Sequence, residues 1–193
     1  MMKNIYLAFI LITGFCSHSQ ITVGLRDGYW LEDMPRGSYI KDTNNEFDKF
    51  QGKWVWTNGN ETVTFKLQKV IHYLNPCGSY EDFMIGNYSY TKDNGLNVVV
   101  NTINQSLSLA ADDNPMFSFI TKSQSMIDFY FHDIALNKED CRAIFEFLPG
   151  STTQMTVKFK NRETFGIVVD PNNPPPPYDY SFTIPQGIVL TKE

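Results

Sequence analysis

The chain has 193 residues and a formal net charge of −5, with 42% hydrophobic, 19% charged and 15% aromatic residues. That length fits one domain, and the balance permits a buried core and excludes compositional disorder. Both signs of charge are spread along the chain, so no run of Lys or Arg could track phosphates, which excludes nucleic acid as a partner.

In chain order, Lys3 supplies a positive start, Ile5 to Phe15 an apolar run of 11 residues, and Ser17-His18-Ser19 small residues around a cleavage point before Gln20. This pattern predicts a cleaved secretory signal peptide over residues 1–19, too short to span a membrane, and leaves no membrane span afterwards. The alternatives are a retained anchor and a lipid on Cys16, where Phe15 occupies the place a lipid-attachment motif reserves for a small residue. Cleavage would remove Lys3 and no acid, moving the charge from −5 to −6.

Residues 20–42 read as an arm, with Gly24, Gly28, Pro35 and Gly37 among scattered apolar residues and no sustained period. Tyr29 and Trp30 would either lay it along the domain or leave it loose. Thr43-Asn44-Asn45-Glu46 has the form of a capping box, and Phe47 and Phe50 follow three apart, which predicts a two-turn helix stopped by Gly52.

From Lys53 the apolar period becomes two. Trp54 and Trp56 share a face, Asn58-Gly59 is a hairpin signal, and Val63, Phe65 and Leu67 alternate with Thr64, Lys66 and Gln68. Lys69 falls where an apolar residue is due, which predicts a bulge nearby. Further strands are expected at Phe83–Thr91 (carrying Met84, Gly86, Tyr88 and Tyr90 on one face), Leu96–Ile103, Met116–Thr121 and Met126–His132 (with Ile127, Phe129 and Phe131). Others follow around Ala143, Phe145 and Phe147, at Met155–Phe159, at Phe165–Val169, and at Ser181–Ile184 and Gly187–Thr191. Asn172 to Tyr178, with four consecutive prolines, reads as an extended spacer. About ten strands with short connections and one apolar face each predict an all-β up-and-down barrel over residues 43–193; a β-sandwich is the alternative.

Two cysteines, Cys77 and Cys141, remain after cleavage. Counting turns puts both at one barrel end, so they are a disulfide candidate worth about 4 kcal/mol by loop closure, the alternative being two separate thiols. His72, Cys77, His132 and Cys141 match no zinc spacing, and no metal or cofactor is implied. His132 and Asp133 point to opposite faces of a strand, so with Glu139 and Asp140 they read as a solvated loop rather than an acid–base pair. No nucleophile elbow or phosphate loop is present, and no residue is assigned a catalytic role. Three Asn-x-Ser/Thr triplets, at Asn60, Asn87 and Asn104, are of the kind an asparagine-rich chain produces by chance.

A short helix running into Phe50, Gly52 and Trp54 at the first strand resembles the opening motif of lipocalins and other calycins. In those barrels the helix closes the bottom, the tryptophan packs beneath it, and a basic side chain from the last strands stacks on the indole. Lys192 stands in the place of that basic residue. The hairpin at Asn58-Gly59-Asn60 departs from the long lipocalin loop that lies over the mouth. The run Tyr39 to Trp54, continued by Trp56-Thr57-Asn58-Gly59, also resembles the start of an uncharacterised bacterial secreted family, a domain of unknown function. The resemblance implies a calycin-like barrel and export, and no activity.

The aromatic rows offer a function. Trp56, Tyr88, Tyr90, Phe129, Phe131 and Phe145 would either line a cavity for a small apolar molecule or fill the barrel interior. The expected protein is therefore an exported lipocalin-like binding module, with a non-enzymatic structural or protein-interaction module of the envelope or extracellular space as the alternative.

Overall fold

A computed structural model describes residues 20–27, 34–106, 110–161 and 179–193. The expectations placed on the signal segment, on Tyr29 and Trp30, on the strand at 165–169 and on the proline run lie outside these residues.

The described residues form eleven strands: β1 (Thr22–Gly24), β2 (Tyr39–Lys41), β3 (Gly52–Asn58), β4 (Glu61–Leu74), β5 (Tyr80–Lys92), β6 (Asn97–Asn101), β7 (Met116–Ser118), β8 (Met126–Asp133), β9 (Lys138–Phe147), β10 (Gln154–Lys160) and β11 (Ile188–Lys192). The antiparallel order β5-β4-β3-β11-β10-β9-β8-β7 returns to β5 through the β5–β7 pairing, so eight strands close a barrel. One continuous sheet replaces the two that a sandwich would need.

Strand β5 organises the closure. One edge pairs with β4 along nearly its whole length. The other serves three partners in turn: β2 at Tyr80 and Glu81, β7 at Met84 to Gly86, and β6 at Ser89 to Lys92. Strands β6 and β7 therefore occupy one lane, as two halves of an interrupted strand, where the sequence suggested two neighbouring strands. The described parts of the arm are paired: β1 and β2 run in parallel and add to the lower edge of β5.

Most of the period-two residues face inward, as expected; Leu96 and Val98 are exceptions, exposed around the start of β6, where only Val100 is buried. Val63, Phe65, Tyr88, Phe129, Phe145, Met155 and Val157 are inaccessible to solvent, each such side chain worth about 1.5–3 kcal/mol of burial. A smaller apolar cluster of Val70, Phe83, Ile85 and Ala111 forms outside the barrel, where a short 3-10 turn at Ala111–Asp113 covers the sheet.

Among the described residues, no helix precedes β3. Residues 42–50 form successive tight turns, because Asn45 adopts φ 53° and breaks the helical run. The capping role falls to Asp42, not Thr43: its carboxylate accepts the Glu46 and Phe47 amides at 2.7 and 3.0 Å. Phe47 and Phe50 nevertheless reach the core and close the barrel's lower end. Trp54 donates its indole N–H to the Phe50 carbonyl at 2.8 Å, and the Lys192 ammonium lies 5.2 Å from the indole centroid, the stack that the resemblance implies. Gly52 is required here: its φ is 124°, and a Cβ would stand 2.9 Å from Lys192 Cε.

Lys69 keeps the inward phase of β4 but lies below the barrel, where its ammonium pairs with Asp42 at 2.9 Å and Asp48 at 2.7 Å. The ladder slips just beyond it, between Val70 and Tyr73, with His72 at φ 53°.

The upper end is closed as well. Ser181–Ile184 form no strand; Ile184 enters the core, and Phe182 packs on Phe159 with centroids 5.5 Å apart. Asp133, expected in a solvated loop, is fully buried and accepts the Thr183 amide and hydroxyl at 2.7 and 2.6 Å, which anchors this segment.

Candidate ligand-binding seam

The expected cavity-lining residues meet inside the barrel, but they meet each other. Phe145 lies edge-on to Phe65 at 5.1 Å and to Phe129 at 5.4 Å; Phe131 contacts Tyr88 at 5.1 Å and Phe159 at 4.9 Å. Tyr90 is buried and donates to Glu61 at 2.9 Å, while Trp56 is half-buried at the margin of the core. The rings form one chain of contacts from Phe129 to Phe182 at the upper end and a second group of Phe50, Trp54 and Phe147 at the lower end, so these aromatics fill the interior.

The barrel wall is interrupted on one side. Where the chain leaves β6 and re-enters at β7, the upper part of β8 faces no paired strand. Pro115 explains the break: the His132 amide donates to the Pro115 carbonyl at 2.9 Å, but proline has no N–H to return to the His132 carbonyl. The Tyr88 hydroxyl takes over, donating to the His132 carbonyl at 2.8 Å and accepting the Ile134 amide at 2.9 Å. Burial pushes the Tyr88 phenol well above its ordinary value, so it remains a donor. Its backbone is held from the other side by Thr102, whose hydroxyl accepts the Tyr88 amide at 2.9 Å and donates to the Tyr88 carbonyl at 3.0 Å. Tyr88 thus bridges the gap between β6 and β8.

A cavity of about 310 Å3 opens beside this bridge, lined by Asn114, Pro115, Phe117, Tyr130, Phe131, His132 and Glu139. Its wall is a stack. The Phe117 and Tyr130 rings are nearly parallel with centroids 4.7 Å apart, and the Arg142 guanidinium lies 4.2 Å from the Tyr130 centroid. Asp128 fixes that guanidinium at 2.8 Å and accepts Lys122 at 2.7 Å. Burial alone would raise the Asp128 carboxyl, but these two cations hold it below its ordinary value. His132 Nε2 is buried without a hydrogen-bond partner. The site therefore offers flat aromatic surfaces beside the polar side chains of Asn114 and Glu139, which suits a small, mainly apolar molecule bearing a hydrogen-bonding group.

Of the predicted lining residues, Phe131 alone reaches this cavity; Phe117, Tyr130 and Pro115 are additional. Their signal in the sequence is a broken alternation: Phe129-Tyr130-Phe131 and Met116-Phe117 put aromatics where the outward phase calls for polar residues. Larger hollows lie elsewhere. One of about 620 Å3 at the lower end is walled mainly by loop residues from Ser123 to Ser125 and Pro149 to Thr152. Another of about 490 Å3 lies on the outer face of β3 and β4.

The main titratable cluster is occupied by internal bonds. Asp82 accepts the Tyr39 hydroxyl at 2.6 Å and the amides of His72 and Asp42 at 2.9 Å, and Glu46 accepts Arg26 at 2.7 Å and the Thr121 hydroxyl. These carboxylates tie the arm and the turns to the barrel. The cysteines are not joined: Cys77 is exposed in the β4–β5 turn and Cys141 is buried in β9. Because β6 and β7 share one lane, the turn count shifts by one, which puts Cys77 at the lower end and Cys141 near the upper. His72 and His132 separate in the same way, so the four residues are not brought together.

No curated protein and no solved structure matches this chain. A family model does, over residues 2–193: its description is a family of unknown function, DUF6705.

Proposed function

As the chain belongs to this family of unknown function, we propose from its barrel that it is an exported, non-enzymatic, lipocalin-like module that binds a small apolar molecule at the lateral seam between β6 and β8. The observation that carries this reading is the cavity beside Tyr88, with its Phe117–Tyr130–Arg142 stack. The signal-like segment at residues 1–19 supports export. The filled interior and the two closed ends argue for binding at the side of the barrel over binding through a mouth.

Titration with 2-naphthol, a flat apolar probe with one hydroxyl, tests the reading by NMR. Saturable one-to-one binding is expected, with shifts at Phe117, Tyr130 and His132, and Tyr130→Ser should weaken it by about tenfold. Shifts centred on Phe129 and Phe145 would move the ligand into the barrel interior. Absence of saturable binding, together with native mass spectrometry showing no co-purifying apolar molecule, would overturn the proposal.

A protein-interaction module is the second reading. Leu96, Val98, Ile134 and Leu136 are all exposed and gather at the upper end of the barrel.

A further inference from the structure

The outer face of β3 and β4 carries a feature that neither the fold nor the seam uses. In the ladder Lys53 stands directly opposite Lys66. Like charges in that position destabilise a sheet, all the more when nothing between them is neutralising. Lys53 has an exposed partner, Glu193, at 2.6 Å. Lys66 is exposed and has no acidic partner among the described residues. In a chain of net charge −5, a cross-strand pair of cations that shares a single acidic partner leaves a local excess of positive charge.

The two lysines border a hollow of about 490 Å3, large enough for a small molecule. Its floor and walls are mixed. Gln51, Thr64 and Gln68 supply polar groups, and the backbone of Gly52 and Leu67 forms the floor, the Leu67 side chain itself turning into the core. Ile103, on the segment leaving β6, makes the far wall. That segment is held in place by the Asn87 amide, which donates to the Gln105 carbonyl at 3.0 Å.

We propose that this hollow is a second binding site, for a small carboxylate with an apolar tail, whose anionic group lies between Lys53 and Lys66 and whose tail lies over Gly52 against Ile103. The inference is independent of the seam: the two sites share no residue, and each can fail alone.

Dodecanoate below its micelle concentration is the probe, followed by calorimetry and by NMR. Saturable binding is expected, with shifts at Lys53, Lys66 and Ile103, and Lys66→Gln should weaken it by about tenfold. Lys66 is solvent-exposed, so this variant should fold; its melting temperature without ligand should match or exceed that of the parent, because a repulsion has been removed. Ile103→Ser should weaken dodecanoate while leaving any response to inorganic phosphate unchanged. Phosphate binding as tightly as dodecanoate would overturn the apolar half of the proposal. Dodecanoate binding that is insensitive to Lys66→Gln, or that shifts Tyr130 and Phe117 in place of Lys66, would overturn the site itself.

Discussion

Glu81 sits where β5 begins below the barrel, 6% exposed, paired in the ladder with Tyr73 on one side and Ile40 on the other. Burial pushes its carboxyl above the ordinary 4.5, and the hydrogen bond from Asn75 pulls it back only in part. The sign of the consequence follows from linkage. A folded state that holds the proton more tightly gains stability below the unfolded value and loses it as pH rises through the raised one. Glu81→Gln, which cannot ionise, should therefore be more stable than the parent at neutral pH, with the gain vanishing toward pH 4.5. Thermal melts across that range check this, and a variant less stable at neutral pH would contradict it. At this scale much was legible: Trp54 over the closing turns, Lys192 on its indole, and Lys69 at an inward position all carry their reasons in the sequence. Asp42 was not, because its capping role depends on the left-handed turn at Asn45.

Among the elements, the seam is the most exposed to mutation. One hydroxyl serves two backbone groups at the interruption between β6 and β8, so Tyr88→Phe removes a donor and an acceptor at once while keeping the ring in the core. A loss of about 1–3 kcal/mol is expected in denaturant unfolding, along with faster hydrogen exchange at the Ile134 amide than at β10 amides. An unchanged Ile134 amide would mean that the bridge does not hold the seam. The strands themselves were readable from their alternation, and the bulge from Lys69. The lane shared by β6 and β7 was not, since two half-strands in line and two strands side by side produce the same pattern along the chain. Nor could the pattern show that Pro115 would leave a carbonyl for a tyrosine from across the barrel to satisfy. The binding cavity was hidden for that reason.

For the whole molecule, that shared lane reverses which end of the barrel each later turn occupies, and with it the fate of the thiols. Cys77 should react with a maleimide in the native protein and Cys141 only after unfolding, and oxidation should not yield a species two hydrogens lighter by an internal bridge. A native protein carrying that mass loss would mean that the barrel count is wrong. One feature bears on how the protein is made. The barrel closes through β11, which joins β10 to β3 across more than a hundred intervening residues. Until residues 188–192 have left the ribosome, β3 lacks one neighbour and β10 lacks the other, and no ring of strands exists. Hairpins such as β3–β4 and β4–β5 can form as soon as they are made, but closure of the ring has to wait for β11 and is the last long-range step of folding.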